Sequence, residues 1–215
     1  MRLIHGDNQV KSRQRLAMIT KAFKGEVVRF NDQVDLTSLK QALESQTFWG
    51  GERLVVIEGW PSKIVVDYGK NFSNLVIWVG KKIDGRKLGG VTQSQVELYK
   101  ISPVIFTFLD TLKAETFRQT LRQEAVELVF FLLARRVRYL IMTKDLGGQG
   151  LIGVVPFEKN RIVNQARKYT LGQLLDFYDK LLTVEYTIKS GQTSAPLELQ
   201  LEVLLASWRT EEKCT

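Results

Sequence analysis

The chain has 215 residues, of which 44% are hydrophobic, and its 31 lysines and arginines outnumber its 23 aspartates and glutamates to give a formal net charge of +8. This length allows one large domain or two small ones with a packed core, and a single cysteine excludes an intrachain disulfide. The N-terminus lacks the apolar stretch of a signal peptide, and no run approaches the length of a membrane span, so we expect a cytoplasmic protein.

The first hundred residues alternate between predicted strands and helices. Residues 2–6 form an apolar run that predicts the first strand, after which Asp7 is expected to cap a helix. Residues 26–30 predict a second strand, and Asp35 is expected to cap a second helix. Further strands are predicted at residues 53–60, 74–80 and 96–101. Strands of consecutive branched residues that are separated by helices indicate a mainly parallel sheet covered on both faces.

From about Ile105 the apolar spacing becomes helical. One helix is predicted to carry apolar residues from 126 to 141 and to end at Gly147-Gly148. Three more helices are predicted, at residues 157–169, from Thr170 to near Gly191, and across residues 197–205. Their apolar faces cannot all be buried singly, so the helices must form a bundle. The pattern changes between residues 85 and 104, which predicts two domains, residues 1–102 and residues 103–215.

No catalytic constellation stands out in the sequence. A P-loop protein carries a Gly-Lys-Ser/Thr phosphate cradle after its first strand, but here Gly6 is followed by no such tripeptide. His5 is the only histidine, so we expect it to have a structural role. Asp7 and Asp32 are expected to cap turns or helices, because no spaced partners are present to complete a metal site. We therefore predict no cofactor, no metal and no catalytic residue.

Two large aromatic side chains lie in the loop between the second predicted helix and the third predicted strand. Phe48 and Trp49 precede the turn pair Gly50-Gly51. Loop aromatics either fold into their own core or project toward a partner, and the sequence leaves both alternatives open.

The positive charge favours an anionic partner, most often nucleic acid. For any one basic cluster, a solvated face of the protein is the alternative. The clusters are Lys11, Arg13 and Arg15; Lys81, Lys82, Arg86 and Lys87; Arg135, Arg136 and Arg138; and Lys159, Arg161, Arg167 and Lys168.

The order of several motifs resembles the delta subunit of bacterial DNA polymerase III, the clamp-opening subunit of the clamp loader. "MRLIHGDNQVKSRQRL", "LKQALESQTFWGGERLVVIEGW" and "NLVIWVGKKIDGRKL" are similar to its N-terminal domain. "LLARRVRYLIMTKDL", "KNRIVNQARKYTLGQLLDFYDKLLTVEYTIKSG" and "LELQLEVLLA" are similar to its helical collar domain. Family members are longer, so this chain resembles a short form without the middle of the usual chain, including the helical lid domain.

The resemblance implies a truncated AAA+-like parallel sheet without a functional P-loop over residues 1–102, and a collar-like bundle over residues 103–215. It implies a non-catalytic subunit of the DNA polymerase holoenzyme whose partners are the sliding clamp, the ATP-hydrolysing loader subunits and the DNA backbone. Thr47, Phe48 and Trp49 match the family's clamp-binding position. Non-specific DNA contacts are expected from Lys81, Lys82, Arg86, Lys87, Arg135 and Arg138.

Two other interpretations remain open. A stand-alone basic DNA-binding module derived from the same fold would bind DNA without binding the clamp. A degenerate nucleotide-binding enzyme would bind ATP with magnesium, which the missing phosphate cradle disfavours.

Overall fold

In the part of the chain that the structure describes, residues 1–45, 51–88 and 91–211, five parallel strands form one sheet. They are β1 (Arg2–His5), β2 (Glu26–Asn31), β3 (Arg53–Glu58), β4 (Leu75–Val79) and β5 (Val96–Leu98). Their spatial order is β2-β3-β4-β1-β5. The structure is a computed structural model, and its contacts divide the chain into two units, Met1–Ile101 and Ser102–Thr215.

Both faces of the sheet are covered by helices of the N-terminal unit. These helices are α1 (Gln9–Ala22), α2 (Leu36–Glu44) and α3 (Lys63–Gly69). Leu39 of α2 lies in one buried cluster with Val55 of β3, and Leu16 of α1 lies in another with Val56. Neighbouring strand residues point to opposite faces, so the consecutive apolar residues of β3 serve both clusters. The predicted parallel sheet with two covered faces is confirmed.

The predicted strands all form, but two local features differ from the sequence predictions. Asp7 does not cap α1; Asn8 does, since its side chain accepts a hydrogen bond from the Lys11 N–H at 3.1 Å. Asp35 caps α2 as predicted, with its carboxylate 2.9 Å from the Ser38 nitrogen. Helix α3 is not predicted, because it spans only seven residues and its apolar run is too short to show a helical period.

The C-terminal unit is helical, as predicted. Its helices are α4 (Pro103–Thr111), α5 (Ala114–Leu121), α6 (Val126–Leu146), α7 (Pro156–Ala166), α8 (Leu171–Lys189) and α9 (Leu197–Glu211). Phe108 packs on Phe117 with ring centroids 5.4 Å apart, and Phe177 packs on Trp208 at 4.5 Å. Helix α6 ends at Gly147, whose φ of 67° suits glycine. No helix in the described residues is both long and apolar enough to cross a bilayer.

Candidate functional site

The turn between β1 and α1 is closed by hydrogen bonds to the segments that follow the neighbouring strands. The Gly6 N–H donates to the Lys81 carbonyl at 3.3 Å, and the Asn8 N–H donates to the Tyr99 carbonyl at 3.1 Å. A phosphate cradle needs such N–H groups to point at the ligand, and here they point at protein carbonyls. Asp7 adds a negative charge at the same place. The residues of this turn therefore do not fit a nucleotide phosphate.

His5 ties β1 to the segment that follows β4. The side chain is 2% exposed, and its Nδ1 accepts a hydrogen bond from the Ile83 N–H at 3.0 Å. The Asp7 carboxylate accepts a second bond from the Lys82 N–H at 3.2 Å. Burial lowers the pKa of His5 below its usual 6.5, the Asp7 charge opposes this, and the Lys82 charge adds to it. The expected structural role of His5 fits this geometry, because Nδ1 must be unprotonated to accept.

Acidification is therefore expected to weaken the N-terminal unit through His5. Because the folded-state pKa is lower than the unfolded-state value, the contribution of His5 to stability is complete above pH 6.5 and is lost as the pH falls through the folded-state pKa. Between the unfolded-state pKa and the folded-state pKa of His5, the free energy of unfolding falls by at most about 1.4 kcal/mol per pH unit. Thermal unfolding of wild type and His5→Asn across this pH range measures it. Identical pH dependence of the two proteins would contradict the assignment.

The predicted DNA contacts of the N-terminal unit lie at the carboxyl ends of the strands. Lys81 and Lys82 directly follow β4, and Arg86 and Lys87 lie in a short 3-10 turn, Gly85–Leu88. All four side chains are exposed. The carboxyl ends of parallel strands are where open α/β sheets bind ligands.

Arg86 and Lys87 line a groove of about 650 Å³. The other lining residues are Trp60, Lys63, Val66 and Asp67, and Lys81 and Lys82 are not among them. Trp60 and Lys63 are not among the predicted site residues, although Trp60 lies two residues after β3 and Lys63 begins the helix that follows, at the edge where a parallel sheet binds ligands. Two of the four predicted DNA contacts, Arg86 and Lys87, therefore line the same groove as the Trp60 ring and a third cation, Lys63.

The basic cluster on α6 has two different environments. Arg135 is half-buried and Arg138 is exposed, whereas Arg136 is only 3% exposed. Arg136 donates to the Asp110 carboxylate at 3.0 Å, and Arg161 of α7 pairs with the same carboxylate. Arg136 is therefore part of the packing between α4, α6 and α7, and a role in DNA contact remains a prediction for Arg135 and Arg138 only.

The predicted clamp-binding residues Thr47, Phe48 and Trp49 lie outside the described residues. The chain on both sides of them is held in place by Arg53, the first residue of β3. Its guanidinium donates to the Ser45 hydroxyl at 2.5 Å and to the Glu26 carboxylate at 2.8 Å. β3 thus begins at Arg53, the first residue of the strand predicted at residues 53–60.

Comparisons with known proteins agree with this architecture. Residues 113–207 match the family described as DNA polymerase III delta subunit, C-terminal domain. No curated protein matches the chain. The solved structure of the Bacillus subtilis DNA clamp loader delta protein (YqeN) is similar, with a TM-score of 0.50 and 13% sequence identity, and the match covers 96% of this chain and 94% of that chain. At that identity the likeness concerns the fold. Residues 113–207 thus carry the C-terminal domain of the DNA polymerase III delta-subunit family, and nearly the whole chain has the fold of a clamp-loader delta protein.

Proposed function

We propose that this protein is a non-catalytic clamp-loader subunit in DNA replication, which binds the sliding clamp and helps to open it or load it onto DNA. The match of residues 113–207 to the delta C-terminal domain carries this proposal. The N-terminal sheet and the helical unit would correspond to the delta N-terminal domain and to the collar. Its partners would be the clamp, the ATP-hydrolysing loader subunits and the DNA backbone.

The clamp contact is assigned to Thr47, Phe48 and Trp49. Arg53 bonds to Ser45 on one side of this segment and begins β3 on the other. Anchoring both ends limits the conformational entropy that is lost when the segment binds. An aromatic side chain buries roughly 150–250 Å² in a pocket, and such anchors dominate interface energies. Their binding would favour an open clamp only if they bind it more tightly than the closed clamp.

The ATP-dependent part of loading would come from partner subunits. The N–H groups of Gly6 and Asn8 in the β1–α1 turn donate to protein carbonyls and are not available to a phosphate. This supports the proposal that the subunit does not itself hydrolyse ATP. The exposed cations at the carboxyl edge, together with Arg135 and Arg138, would contact phosphates without reading sequence.

The clamp contact is tested by replacing both aromatic side chains. We expect Phe48→Ala combined with Trp49→Ala to weaken association with the purified sliding clamp by roughly 30-fold or more, because the loss of even one hot-spot aromatic costs about 2 kcal/mol or more. Surface-immobilised clamp and biolayer interferometry give the dissociation constants. Far-UV circular dichroism and the melting temperature show whether the variant is folded.

The matched control removes two other exposed apolar side chains of the same unit. Met18 and Ile64 are 63% and 65% exposed, and Met18→Ala with Ile64→Ala should leave clamp affinity unchanged. Equal clamp binding by the aromatic double variant and wild type would refute the assigned contact. Salt-dependent DNA binding by a wild-type protein that does not bind the clamp would instead favour the stand-alone DNA-binding module.

A further inference from the structure

The groove beside Trp60 combines an aromatic side chain with several cations. Trp60, Lys63, Arg86 and Lys87 all line it. We propose that this groove binds single-stranded DNA, with a base stacked on Trp60 and the flanking phosphates held by the three cations. This deepens the DNA contact of the proposed function by naming the form of DNA and the residues that hold it.

The groove lies where two neighbouring strands end. Trp60 follows β3 and Arg86 follows β4, and these strands pair directly. The position of Trp60 is fixed by Gly59, whose φ is 110° and whose N–H donates to the Trp78 carbonyl at 2.8 Å. A side chain at Gly59 would approach the Asp32 Cβ to 2.7 Å, so glycine is required at this turn.

The turn that carries the two other cations is also fixed. The Arg86 N–H donates to the Asp84 carboxylate at 3.0 Å, and the Lys87 N–H donates to the Asp84 carbonyl at 2.9 Å. Hydrogen bonds therefore fix the backbone that carries the aromatic ring and two of the three cations before a ligand arrives, which reduces the entropy lost on binding.

The charge of the groove suits a polyanion. Lys63, Arg86 and Lys87 are exposed, and of these three only Lys63 is near enough to a carboxylate of the described residues, Asp67, for its charge to lower the pKa of that group. The one carboxylate of the groove, Asp67, is paired with Lys70, whose hydrogen bond lowers the pKa of Asp67. The field in the groove is thus positive, as contact with successive phosphates requires.

Trp60 distinguishes single-stranded from double-stranded DNA. The side chain is half-buried, packs in part against the core and lines the groove with the remainder. Aromatic platforms combined with basic grooves are typical of proteins that bind single strands, because every unpaired base offers a face for stacking. The bases of a duplex are stacked on each other and cannot reach such a ring.

The test compares a short fluorescein-labelled oligothymidylate with an abasic oligomer of the same length, by fluorescence anisotropy. We expect wild type to bind the oligothymidylate roughly tenfold more tightly, because base stacking is lost in the abasic strand. Trp60→Leu should abolish that preference and retain the affinity for the abasic strand. Trp60→Phe, which keeps a ring and fills most of the same space, should retain a preference.

The charge contribution is measured separately. Lys63→Gln, Arg86→Gln and Lys87→Gln together should weaken binding of both oligomers and reduce the slope of log K against log salt by about 0.7 for each cation removed. The matched control is Lys21→Gln with Lys24→Gln. Lys21 lies at the end of α1 and Lys24 just after it, and both side chains are exposed. Because α1 runs away from the carboxyl edge of the sheet, this control should leave the slope of log K against log salt unchanged for both oligomers.

Two outcomes would overturn the proposal. One is equal affinity of wild type for the two oligomers, which would show that no base is stacked. The other is complete displacement of the oligothymidylate by polyglutamate when the concentration of carboxylates equals the concentration of phosphates. That result would assign the groove to an acidic protein partner. Clamp association is measured independently, so failure of this proposal and failure of the clamp-loader function are distinguishable.

Discussion

Replacing Asp110 by alanine is expected to destabilise the C-terminal unit by about 3–5 kcal/mol. The Asp110 carboxylate accepts a hydrogen bond from Arg136 at 3.0 Å and also pairs with Arg161. Arg136 is 3% exposed, and its other terminal nitrogen, Nη1, is buried without a partner among the described atoms. Loss of the carboxylate would leave a buried guanidinium without its ion-pair partner and with only the charge of Glu158 to stabilise it, which costs far more than the pair itself contributes. Urea unfolding followed by circular dichroism measures the change.

Two further variants separate the buried charge from a general effect of losing a carboxylate. Adding Arg136→Met to Asp110→Ala should restore much of the stability, because an apolar side chain of similar volume removes the unpaired charge. Glu185→Ala breaks an exposed pair with Lys189 on α8 and should cost no more than about 1 kcal/mol. A cost for Asp110→Ala that is no larger than that of Glu185→Ala would show that Arg136 does not need this partner.

The second large effect is expected at Gly6, where alanine should cost the N-terminal unit roughly 3–5 kcal/mol. The φ of Gly6 is 136°, which an L side chain rarely adopts, and an added Cβ would lie 2.0 Å from the Tyr99 carbonyl oxygen. The substitution therefore combines backbone strain with a clash against backbone that follows β5. Differential scanning calorimetry measures the shift of the melting transition.

The control for Gly6→Ala is Gly172→Ala in α8. No atom lies within 4 Å of a Cβ added at Gly172, the second residue of α8, so alanine there should not destabilise the protein. A Gly6→Ala protein as stable as wild type would mean that the β1–α1 turn can open away from Tyr99.

Much of the fold follows from local patterns in the sequence. The consecutive branched residues of β3 predict a strand buried on both faces, and Val55 and Val56 indeed serve opposite clusters. Asp35 caps its helix as predicted, and Gly147 ends α6. In each case the signal lies within a few residues of its structural effect, so no tertiary information is needed.

The candidate site depends on contacts that no local pattern reveals. Trp60 and Arg86 share a groove because β3 and β4 are neighbours in the sheet, and the strand order is a tertiary property. Asn8 replaces Asp7 as the cap of α1 because Asp7 binds the Lys82 N–H instead. The burial of Arg136, in contrast, is visible in the spacing of its neighbours. This residue lies three residues after Leu133 and four before Leu140, both fully buried, and therefore on the buried face of α6.

The hydrogen bonds at the carboxyl edge have a mechanical consequence. Gly6, Asn8 and His5 join the end of β1 to the segments that follow β4 and β5, so three strand ends cannot slide past one another without breaking bonds. These bonds resist shear between the three strands. A force applied beside Arg53, at the amino end of β3, would reach them through the ladder of hydrogen bonds that pairs β3 with β4.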